Sequence, residues 1–97
     1  MLFVSAESSS AQTQFAFTQQ AAPVRASNAT LNGMVVPRGN PTVAWFEWGI
    51  DRTYGNVTAT QNVGNGSGTV RVTNQLTGLM VGGIYHFRVV ASNSTGV

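Results

Sequence analysis

The stretch LTGLMVGGIYHFRVVASNSTG, Leu76 to Gly96, carries the clearest two-residue period in the chain. Tyr85, Phe87, Val89 and Ala91 fall on one face, and His86, Arg88, Val90 and Ser92 on the other. That is how successive side chains of a strand are disposed. Gly82-Gly83 breaks the chain just before this segment and Asn93-Ser94-Thr95-Gly96 breaks it just after. The spacing predicts a half-buried strand with its Tyr-Phe-Val face toward a core.

Working outward, Val70 and Val72 define a short strand, TVRVT, that leads through Leu76 and Leu79 into the quoted stretch. Farther upstream, TVAWFEWG (Thr42 to Gly49) places Ala44, Phe46 and Trp48 on one face and Val43, Trp45 and Glu47 on the other. Both faces carry an aromatic. Phe46 and Trp48 are assigned inward, because turning the other face in would bury the Glu47 carboxylate without a partner. From Val24 the chain alternates through Ala29, Leu31, Gly33 and Val35, opposite Thr30, Asn32, Met34 and Val36, until Pro37-Arg38-Gly39-Asn40-Pro41 turns it. Asn56 to Gln61 reads as a threonine-rich edge strand and Asn62 to Gly68 as a loop. Near the N-terminus, Thr13, Phe15 and Phe17 share one face of a short strand, Thr13 to Thr18. No segment has a helical period. Six to seven short strands separated by turns predict an all-β sandwich. Its expected core is Leu31, Phe46, Trp48, Val70, Val72, Leu76, Leu79, Tyr85, Phe87 and Val89.

Composition narrows the function classes. The 97 residues suit one domain. Charged residues make up 8% of the chain, against about 25% in an ordinary globular domain, so the surface is built of Ser, Thr, Asn, Gln and Gly. The net charge of +2 reflects few acids (Glu7, Glu47, Asp51) and not a basic cluster, since Arg25, Arg38, Arg52, Arg71 and Arg88 are scattered singly. Nucleic-acid binding is therefore not expected. With no cysteine, disulfides and thiolate metal sites are excluded. The apolar run Met1-Leu2-Phe3-Val4 stops at Ser5, too short for a signal-peptide core, and no run is long enough to span a bilayer.

The run ATLNGMVVPRGNPTVAWFEWGIDRTYGNVT, followed by VRVTNQLTGLMVGGIYHFRVVASNSTG, resembles the fibronectin type III-like modules, Ig-like β-sandwiches of about seven strands, that recur in tandem in bacterial and archaeal extracellular proteins. The resemblance covers residues 21–96. It implies that Tyr85 is the tyrosine of a tyrosine corner, tying the loop after Leu76 back onto its strand. Met80-Val81-Gly82-Gly83 departs from the family, which more often has a proline and a threonine there, and a looser turn is expected. The chain also stops at Val97, where the family continues into its last strand. SAQTQFAFTQQAAPV resembles a junction between consecutive repeats, so the last strand is expected first, at Thr13 to Thr18. The implied organisation is an N-terminal extension, 1–20, carrying this donor-like strand, and a sandwich, 21–97, lacking its own C-terminal strand.

Candidate sites follow from these readings. Antiparallel self-insertion of Thr13 to Thr18 beside Tyr85 to Ser92 would require the chain to recross the domain through Gln19 to Pro23, a span of at most ~18 Å. A neighbouring chain is the expected recipient. The donor residues are then Thr13, Phe15 and Phe17, the acceptor groove is Tyr85, Phe87 and Val89, and the product is a head-to-tail fibre. Trp45, Glu47 and Arg88 form a candidate surface contact, with Glu47 and Arg88 expected as a cross-strand ion pair. His86 lacks local metal-ligand partners, no nucleophile motif accompanies it, and neither a catalytic residue nor a cofactor is expected. Asn28, Asn56, Asn65 and Asn93 begin N-glycosylation sequons. The expected function is a non-catalytic extracellular or cell-surface structural or adhesive module that assembles with itself. The alternative is an accessory domain that binds carbohydrate or another ligand, or a spacer, cut from a larger tandem-repeat secreted protein.

Overall fold

The computed structural model describes residues 2–8 and 15–93, and these contain no helix. Their strands are β1 (Phe3–Ala6), β2 (Phe15–Gln19), β3 (Ala29–Val36), β4 (Thr42–Gly49), β5 (Asn56–Val57), β6 (Gln61–Gly64), β7 (Val70–Leu76) and β8 (Ile84–Ser92). One sheet runs β1-β8-β4-β5, with β6 also pairing on β4, and the other runs β2-β3-β7. Every pairing is antiparallel except β1 with β8, which is parallel. The result is an all-β, sandwich-like fold of two sheets.

Alternation in the sequence becomes alternation in burial. Along β3, Ala29, Leu31, Gly33 and Val35 are buried while the residues between them are half-buried. Facing them are Ala44 and Phe46 of β4 and Tyr85, Phe87, Val89 and Ala91 of β8, all in one core with Val72, Leu76 and Leu79. Phe46 and Phe87 are wholly enclosed, with ring centroids 6.0 Å apart. Each such side chain contributes about 1.5–3 kcal/mol by leaving water. Trp48 is partly buried and packs on this core, its ring centroid 6.0 Å from that of Tyr85. The sheets come close at Gly33, where a Cβ would lie 3.0 Å from the Cβ of Val89.

Three features differ from the sequence reading. Asn56 to Gln61 is not one edge strand: β5 pairs with Glu47 and Trp48, β6 pairs with Thr42 to Ala44 through an irregularity at Thr42/Val43, and the regular pairing on β4 is interrupted in between. The Asn62 to Gly68 loop accordingly begins only after Gly64. The Met80 to Gly83 turn is not loose, since Gly83 N–H donates to Met80 O at 2.9 Å and Met80 N–H donates to the Tyr85 hydroxyl at 2.9 Å. The third difference lies at the N-terminus. Leu2, 3% exposed, belongs to the core, and Val4 packs against it.

Candidate functional site

The β8 edge, the expected acceptor groove, is occupied by β1 of the same chain. Phe3, Val4, Ser5 and Ala6 stand opposite Ile84, Tyr85, His86 and Phe87. Phe3 N–H donates to Gly83 O at 3.0 Å and Glu7 N–H to Phe87 O at 2.8 Å. The edge is filled in the parallel sense and by a strand that precedes β2, so it does not involve the antiparallel self-insertion that the short Gln19 to Pro23 link opposes.

The expected donor segment lies elsewhere. Its described part, Phe15–Gln19, pairs antiparallel with β3, Phe15 opposite Val36 and Phe17 opposite Met34. Thr13 is outside the described residues, as is the Phe15 side chain. Phe17 is 51% exposed and Ala16 is buried, the reverse of the expected facing. Register is the cause: Ala16 stands opposite Val35, which β3 points into the core, so Phe17 shares the outer face with Met34. This segment meets β8 through the Thr18 hydroxyl, which accepts from Val89 N–H at 3.1 Å. Of the expected acceptors, Tyr85 and Phe87 therefore lie beside β1 and Val89 beside Thr18.

Charge collects on the outer face of the larger sheet. Glu7 follows β1 and holds three partners: Arg52 Nε donates to its Oε1 at 2.7 Å, the Ser5 hydroxyl donates to Oε2 at 2.6 Å, and His86 Nδ1 lies 3.4 Å from Oε2. The Ser5 hydroxyl first, then His86 and Arg52, hold the Glu7 carboxyl below its usual range, against an opposing effect of desolvation. His86 thus has a carboxylate neighbour, contrary to the sequence reading, which could not connect residues 79 positions apart. No group of three metal-ligating side chains forms among the described residues.

The Glu47–Arg88 pair sits on directly opposed positions of β4 and β8. Arg88 Nε and Nη2 both donate to Glu47 Oε1, at 2.9 and 2.7 Å. The guanidinium also lies over the Tyr54 ring, 4.8 Å from its centroid. Trp45 is half-buried on the same outer face. The third acid, Asp51, accepts from Thr53 N–H at 2.9 Å and contacts the Thr53 hydroxyl, which lowers its pKa.

Of the sequon asparagines, Asn65 is exposed after β6, and Asn56 is exposed with its Nδ2 donating to Trp48 O at 3.3 Å. Asn28 is half-buried, and its carbonyl accepts from Arg25 N–H at 2.8 Å. Asn93 is half-buried, and the rest of its sequon lies outside the described residues.

Sequence reasoning passed over Leu2, Val4, Ser5, Glu7, Arg52 and Tyr54. A signal for the first four was present. Leu2 and Val4 alternate with Phe3, Ser5 and Glu7 in the strand period, but over too few residues to stand out from a linker. The chain matches no protein-family model, no characterised protein and no solved structure. Among the described residues, no helix is long and apolar enough to cross a membrane.

Proposed function

We propose that the chain is a non-catalytic structural module of fibronectin type III type, acting outside the cell or at its surface, that joins copies of itself by exchange of the strand at the β8 edge. The type is supported by the two-sheet strand order and by the Tyr85 hydroxyl, which takes the N–H of Met80 as the tyrosine of a tyrosine corner does. The low charge and polar uncharged surface suit close packing of copies. All three acids are engaged in contacts that brace strands and turns.

One observation carries the assembly: the β8 edge is completed by a four-residue strand that enters from the far end of the sequence. Its hold on the core is small, chiefly Leu2 and Val4. A second copy offering the same residues makes the same contacts, so exchange loses little in contact energy and is opposed mainly by the entropy of association. Each copy donates at one place and accepts at another. Successive exchange gives a head-to-tail chain, and reciprocal exchange gives a closed dimer. The donor is β1, in place of the Thr13 to Thr18 segment expected from the sequence.

Light scattering across a concentration series tests this. The expected result is a mass that rises above the monomer with concentration and stays monomeric in a Leu2→Asp, Val4→Asp variant, whose opened β8 edge then binds a synthetic peptide of residues 2–8. A monomer at every concentration, or assemblies unchanged in the double variant, overturns it.

A further inference from the structure

The β4 edge is interrupted opposite Trp45. β5 pairs with Glu47 and Trp48, and β6 pairs with Thr42 to Ala44. Between them Thr58 turns inward and closes both backbone groups of Phe46: its N–H donates to Phe46 O at 2.9 Å and its hydroxyl accepts from Phe46 N–H at 2.9 Å. The interruption is thus a built feature in which the edge is satisfied. It opens a groove of about 320 Å³ lined by Trp45, Glu47, Val57, Thr58 and Thr60.

The groove has an apolar wall, the indole of Trp45 and Val57, which is 67% exposed. Glu47 and Thr60 line it as well. Both Arg88 hydrogen bonds fall on Glu47 Oε1, leaving Oε2 as an acceptor. Among the described residues, no group accepts from Trp45 Nε1–H or bonds the Thr60 hydroxyl, although Trp45 is half-buried. An apolar plate whose lining residues leave one acceptor and two donors without a partner among the described residues matches a ring that has a C–H face and hydroxyls at its edge. The carboxylate is neutralised by Arg88 at 2.7 Å, so the site offers no net charge to an ionic ligand.

We propose that this groove binds a neutral carbohydrate, one pyranose ring lying against Trp45 with its hydroxyls directed to Glu47 Oε2 and Thr60. The site stands apart from strand exchange, because it lies on the β4 edge and needs neither β1 nor a second copy. A shallow groove holding one ring gives a Kd on the order of 1 mM.

The test is a ¹H–¹⁵N NMR titration of the full chain with neutral oligosaccharides of glucose, mannose, galactose and N-acetylglucosamine at millimolar concentration. The expected result is a saturable shift of the Trp45 indole N–H and the Thr58 to Thr60 amides with at least one of them, while the Trp48 indole N–H stays in place. Trp45→Ala removes the response. Thr60→Val, an exposed change that does not endanger folding, weakens it about threefold to tenfold. No shift with any sugar overturns the proposal. So does a shift unaltered by Thr60→Val, or a Trp45 response that depends on protein concentration alone, which would make the face a contact between copies.

Discussion

At the scale of single residues, Tyr85 shows how one hydroxyl sets a turn. The ring is buried against Trp48, and its oxygen reaches back to the N–H of Met80, five residues upstream. Gly82 takes a positive φ of 79°, closing the turn that this bond anchors. Tyr85→Phe keeps the ring and removes the acceptor. The bond is only part-buried and sits in an exposed turn, so water can replace the lost partner. The expected cost is accordingly about 1 kcal/mol and not the larger penalty of a stranded buried donor. Chemical denaturation is the check, with an unchanged m-value and faster amide exchange at Met80 and Gly83. Gly49 makes the opposite point: a Cβ there would fall 1.5 Å from Tyr54 O, so no side chain fits without moving the β4–β5 turn.

At the scale of the element, β1 is held by backbone pairing, by Leu2 and Val4, and by the contacts of Glu7. The Arg52 side chain is 74% exposed, so its ion pair with Glu7 is worth at most about 1 kcal/mol. The significance of Glu7 is its position at the end of a short strand. Its pKa is lowered in the folded chain, so its contribution is present above the unfolded carboxylate value of about 4.3 and is lost as pH falls through the folded value. Asp51 shifts in the same direction, and the comparison with Glu7→Gln separates the two. Glu7→Gln is expected to lower stability at neutral pH. Thermal melts of the two proteins should converge in acid, where the native carboxyl is also neutral. Hydrogen exchange should show the Ser5 to Glu7 amides loosening first as pH falls. A constant gap between the melting curves at all pH values would show that Glu7 acts through packing and not through charge.

At the scale of the whole molecule, stability rests on the layer between the sheets, and Phe87 is at its centre. The residue is fully buried, packed near Phe46, on a strand flanked by β1 and β4. Phe87→Ala is expected to cost about 3–5 kcal/mol. A domain of this size has a total of about 5–15 kcal/mol, so circular dichroism should show a large fall in melting temperature or loss of the fold. The sequence by itself determined the strands and their facing wherever the two-residue alternation was long and chemically unequal. β3, β4, β7 and β8 each have one face that water disfavours, and Glu47 marks the outward side of β4. Its pairing with Arg88 followed because those strands are direct neighbours in the resembling fold. Only the tertiary structure decided the rest. The alternation of β2 leaves Phe17 on one face and Ala16 on the other, and a local pattern favours the phenylalanine inward. The register with β3 overrules it, since Val35 already points into the core opposite Ala16. Which strand completes the β8 edge, and what Glu7 holds, depend on contacts such as Glu7 with His86 across 79 residues. Alternation is a property of neighbours along the chain, whereas edge pairing and charge contacts are properties of neighbours in space, and no local period encodes them.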